Sequence, residues 1–139
     1  MNPSDPTLVP AKLHNGGDGD TFDLLCNFLR RSTWRGAVVV NIRLLGWRAQ
    51  ENEGPERDKP ELGPKGEIIR VSGRDAKQVT TMVLGSAKGL RVLFTGLNDR
   101  GREICDVWID QDGKGYVPLG ELLEEMHVCT RGITMGTRA

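Results

Sequence analysis

The chain has 139 residues, the size of one domain that hides roughly 68–70% of its unfolded surface. Its 19 Lys and Arg balance 19 Asp and Glu, which argues against a protein that grips nucleic acid by bulk charge but leaves room for a local basic cleft. No apolar run approaches the ~20 residues of a membrane span, and the opening MNPSDPTLVP lacks the basic and apolar regions of a signal peptide, so the expectation is a cytoplasmic protein with no membrane contact.

In chain order, residues 1–6 are polar with two prolines and read as an extended N-terminal arm. Thr7–His14 reads as a short strand. Asn15-Gly16-Gly17-Asp18-Gly19-Asp20 is turn chemistry. Phe22, Leu24 and Cys26 then alternate onto one face of a second strand. Arg30 to Gly36 reads as a hairpin tip. Ala37–Trp47 follows as one long strand, with Arg43 on the face opposite Ile42 and Leu44. Residues 48–66 hold three prolines, three glycines and almost nothing apolar. They read as a long loop of the kind found beside active sites. Glu67–Val71 reads as a short strand.

Ser72 is positioned to cap a helix, with Asp75 at the capping-box position. Ala76, Val79, Thr80, Val83, Leu84 and Ala87 make one apolar stripe on that helix, and Gly89 reads as its terminator. Leu90–Leu97 and Arg102–Asp110 read as a hairpin around Asn98-Asp99-Arg100-Gly101. A second helix starts near Pro118, with Leu119, Leu122, Leu123 and Met126 on its stripe. Residues 7–129 therefore read as one domain, and 130–139 as a tail without pattern. Cys26 and Cys105 face inward by strand parity and read as core, whereas Cys129 falls toward the tail. Three cysteines cannot all pair, which fits a reducing compartment. Five strands with a helix between the third and fourth outline an α+β, mainly β, OB-fold barrel.

Three motifs now carry a resemblance. Asp18-Gly19-Asp20-Thr21-Phe22 resembles the DGDT motif of the staphylococcal-nuclease (thermonuclease) family. Ile42-Arg43-Leu44-Leu45-Gly46-Trp47-Arg48-Ala49-Gln50-Glu51 resembles that family's R-L-x-G-x-D-x-P-E segment. Asn98-Asp99-Arg100-Gly101-Arg102 resembles its D-x-x-G-R hairpin. The likeness runs from about Leu8 to about Thr130 and omits the family's third helix.

The resemblance implies a five-stranded OB barrel and Ca²⁺-dependent hydrolysis of DNA or RNA phosphodiesters. It assigns Asp20 as a direct metal ligand and Asp18 as its support through water. It places Arg43 and Arg102 on the scissile phosphate, and Glu51 beside the attacking water. The chemistry is coherent, because a hard cation wants carboxylate oxygens and paired guanidiniums neutralise phosphate charge. A carboxylate orients the water.

The resemblance also exposes two departures. Arg48 stands at the position of the second carboxylate ligand, and Gln50 at that of the proline. A guanidinium at 48 repels Ca²⁺ and is expected to pair with Asp20 instead. Two functions follow as expectations. One is a metal-dependent endonuclease weakened by Arg48. The other is a catalytically inactive OB-fold subunit of an assembly, for example a phage particle, with its termini held by other protein chains.

Overall fold

Phe22, Leu24 and Cys26 all point inward from β2 (Thr21–Cys26) and are fully buried. The same two-residue period buries Cys105, Val107 and Ile109 on β8 (Arg102–Asp110). Those faces close on one another in the computed structural model, which describes residues 8–138. β1 (Val9–Gly16) pairs antiparallel with β2, and β2 with β3 (Val38–Leu44). β3 runs parallel to β8, β8 antiparallel to β7 (Gly89–Asp99), and β7 antiparallel to β1. The circuit β1–β2–β3–β8–β7–β1 is a closed five-stranded barrel, the α+β OB-like architecture expected. Closure pairs β7 with β1 at Leu90–Val92 only, which leaves its far end, at Leu97 and Asn98, open on that side.

Smaller elements decorate it. β4 (Trp47–Ala49), β5 (Glu61–Leu62) and β6 (Ile68–Arg70) follow β3. Helix α1 (Gly73–Gly85) precedes β7, and β9 (Val117–Pro118) and helix α2 (Leu119–Glu125) follow β8. β10 (Cys129–Arg131) and β11 (Thr137–Arg138) complete the described chain. Ser72 caps α1 as expected, its Oγ accepting the Asp75 N–H at 3.2 Å. Ala76, Thr80, Val83 and Leu84 turn that helix onto the barrel.

Three expectations of element boundaries are corrected. The strand expected over 37–47 breaks after Leu44, because Gly46 takes a positive φ of 78° and turns the chain into β4. Helix α1 stops at Gly85, short of Ala87. The Ser86 hydroxyl bonds back to the Met82 carbonyl at 2.9 Å, and the Lys88 N–H leaves for Asp110. Gly89 therefore opens β7 rather than closing the helix.

The tail also has structure of its own. β10 pairs with β4, and β11 with β7. The Gly46 N–H donates to Thr134 Oγ1 at 2.8 Å. Residues 130–138 are thus tied to β4, β7 and the Gly46 turn of their own chain, and Cys129 is fully buried. The expected arm over residues 1–6 lies outside the described residues. Among the described residues, no helix is long and apolar enough to cross a membrane.

Candidate functional site

The Asp18–Thr21 turn is fixed by packing before its side chains do anything. Gly19 is buried, and a Cβ there would lie 2.7–3.0 Å from Ala49, Ala76 and Val128. The Thr80 hydroxyl of α1 donates to the Gly19 carbonyl at 2.9 Å. The Asp18 N–H donates to Thr21 Oγ1 at 3.2 Å. With the turn held, the Asp20 carboxylate reaches the last residue of β4 and that of Asp18 the segment after it. Asp18 Oδ1 accepts the Asn52 N–H at 3.0 Å, and Asp20 Oδ2 accepts the Ala49 N–H at 3.2 Å. The two aspartates therefore tie the long loop to the turn.

Arg43 projects from β3 away from the buried Ile42 and Leu44. Its Nη2 is 3.7 Å from Asp20 Oδ2, and its Nε is 3.9 Å from Asp99 Oδ2. Arg102 follows the tight turn in which Arg100 and Gly101 take φ of 55° and 86°. Its Nη2 is 2.7 Å from Asp99 Oδ2, and its Nε donates to the Asp99 carbonyl at 3.3 Å. One Asp99 oxygen thus stands between two guanidiniums from different strands.

Asp18, Asp20, Arg43, Arg48, Glu51 and Arg102 all line one cleft of about 480 Å³. All six candidate site positions named from the resemblance are therefore brought to the same cleft. Glu56, Arg70, Asp99 and Arg100 complete its charged wall, giving five carboxylates and five guanidiniums. Glu51 is exposed, and its backbone N–H donates to Glu56 Oε1 at 3.4 Å.

The expected Arg48–Asp20 pair is not formed. Arg48 is the outward residue of β4, between buried Trp47 and Ala49, and its stem lies against Gly132. The cation within ion-pair distance of Asp20 is Arg43. Burial pushes the Asp20 carboxyl above its ordinary pKa, while Arg43 and the Ala49 N–H pull the other way.

The structural roles of three residues escaped the sequence reading. Asp99 sits in a turn and bridges Arg43 to Arg102; its spacing of three from Arg102 was the available signal. Gln50 is buried, and its amide donates to the carbonyls of Lys59 at 2.8 Å and Val71 at 3.0 Å. Arg70 forms a two-pronged pair with Glu61, both contacts 2.9 Å, and donates to the Arg48 carbonyl at 3.4 Å. Nothing local marks either residue, because each partner is distant in sequence.

The donor set is a poor match for Ca²⁺, which takes six to eight oxygens, several of them anionic. Asp18 and Asp20 each already accept a backbone N–H, and position 48 supplies a cation. Among the described residues, no three His, Cys, Asp or Glu side chains group closely enough to hold one ion. No cysteine lines the cleft. All three thiols are buried, and burial pushes that of Cys26 up to about 11. No protein-family model and no curated protein sequence matches the chain.

Proposed function

We propose that the chain is a staphylococcal-nuclease-like protein whose cleft binds a phosphodiester group of DNA or RNA. One observation carries this reading. The turn before β2, strand β3, the loop after β4 and the β7–β8 turn deliver Asp20, Arg43, Glu51 and Arg102 to one cleft. Arg43 and Arg102 offer forked donors to phosphate oxygens. Glu51, exposed at the rim, is placed to orient a water. In this reading, binding stands without a divalent cation, and cleavage is slow because Arg48 and the Asp20–Arg43 contact disfavour Ca²⁺.

The test uses a labelled trinucleotide and fluorescence anisotropy, in EDTA and in Ca²⁺, with a cleavage assay alongside. Wild type is expected to bind in EDTA. Arg43→Ala and Arg102→Ala should each weaken binding about tenfold, the scale of a hydrogen bond to a charged group, while Arg30→Ala leaves it unchanged. Affinity that ignores both cleft substitutions would overturn the proposal. Brisk Ca²⁺-dependent cleavage would replace the weakened enzyme with a full nuclease.

A second reading, the inactive OB-fold subunit of a larger assembly, is favoured by the even charge of the cleft, where five guanidiniums already face five carboxylates. Absence of both binding and cleavage, together with self-association in sedimentation, would select it.

A further inference from the structure

A second groove, of about 540 Å³, opens where the start of β1, the end of α1 and the start of β7 meet. It lies at the other end of β7 from the charged cleft: Gly89 and Arg91 line the groove, and Asp99 lines the cleft. Its wall carries Lys12, Lys88 and Arg91 together with Trp34 and Tyr116, and no Asp or Glu. Among the described residues none of those three cations makes an ion pair. That segregation stands out in a chain of zero net charge.

Two of the three cations each lie over one of the two rings. Lys12 Nζ lies 4.7 Å from the centre of the Trp34 ring, and the Arg91 guanidinium 5.3 Å from that of Tyr116. Both rings are partly exposed. Cation–ring contacts in such places are weak, so a planar ligand can displace the cation from the ring and keep it as a phosphate partner. An acidic peptide would satisfy the charges but leave two aromatic faces unused. Bases joined by phosphates use both.

We propose that this groove binds single-stranded nucleic acid, with bases stacked on Trp34 and Tyr116 and backbone phosphates held by Lys12, Lys88 and Arg91. The groove is independent of the cleft and does not require cleavage there.

The test uses the full chain carrying Arg43→Ala and Arg102→Ala, so that the cleft is disabled. The probes are labelled oligothymidylate, an abasic strand of equal length and inorganic polyphosphate. The parent is expected to bind oligothymidylate better than either control. Adding Trp34→Ala, or Lys12→Ala with Arg91→Ala, should weaken that binding about fivefold or more, within the range seen for single stacked bases. Trp34→Phe should retain affinity, which separates stacking from misfolding, and circular dichroism melts check each variant. Equal binding of the abasic strand or polyphosphate would overturn base recognition. Unchanged affinity in both groove variants would overturn the site. Loss of all binding in the parent would assign nucleic acid to the cleft alone, sinking this inference while sparing the first.

Discussion

Asp99 and Arg102 face one another across the β7–β8 turn, 2.7 Å apart between Oδ2 and Nη2. The same oxygen is 3.9 Å from Arg43 Nε. A phosphate entering the cleft meets two guanidiniums already aimed by one carboxylate, and that carboxylate also repels it. Asp99→Asn keeps an acceptor for Arg102 and removes the charge. Trinucleotide affinity is expected to rise about threefold, inside the ~0.2–1 kcal/mol of a partly exposed charge pair. A marked loss in anisotropy titrations would show that orientation by the full charge outweighs repulsion.

Asp20 makes stability depend on pH. Its folded pKa is raised above the ordinary 3.8, chiefly by burial. The protonated form therefore favours the fold. That contribution is whole below the unfolded value and is lost as pH rises through the folded one. Asp20→Asn stays neutral throughout. Its melting temperature is expected to exceed that of wild type at pH 7, with the gap closing toward pH 4. A deficit at pH 7 would mean that Arg43 and the Ala49 N–H outweigh desolvation.

Arg48 lines the cleft beside Asp18 and Asp20 without pairing to Asp20. Arg48→Asp exchanges a cation for a third carboxylate at that wall. Calorimetric Ca²⁺ titration is expected to show at least tenfold tighter binding than wild type, about 1.4 kcal/mol, with oligonucleotide cleavage assayed in parallel. No change in Ca²⁺ affinity would mean that the outward direction of β4 keeps position 48 out of reach of the ion.

Gly73 and Ser72 separate stability from site geometry. A Cβ on Gly73 would fall on the Glu51 carbonyl, displacing the loop whose Asn52 N–H holds Asp18. Gly73→Ala is expected to cost ~1–3 kcal/mol, as overpacking does, and to weaken trinucleotide binding as well. Ser72→Ala removes only the 3.2 Å cap on Asp75 and should cost about 1 kcal/mol with binding intact. Equal binding by both variants would show that the loop does not position the cleft.

Much of this architecture was legible in local pattern. Alternation at Phe22, Leu24 and Cys26, and at Cys105, Val107 and Ile109, marks barrel strands because strand geometry sends every second side chain inward. The stripe of α1 and its Ser72 cap are local for the same reason: both follow from spacing within a few residues. Asp18, Asp20, Arg43, Glu51 and Arg102 were named together only through the resemblance of three motifs to the staphylococcal-nuclease family.

What the sequence alone left open was decided by partners far along the chain. Arg43 rather than Arg48 meets Asp20, because β4 pairs with β10 and turns Arg48 outward. Gln50 reads as a surface residue of a polar loop until Lys59 and Val71 receive its amide. The tail carries no period, yet it pairs with β4 and β7 because those strands leave backbone groups unpaired along one side. Hydrogen bonds of this kind are set by the closure of the barrel, and no window of neighbouring residues contains them.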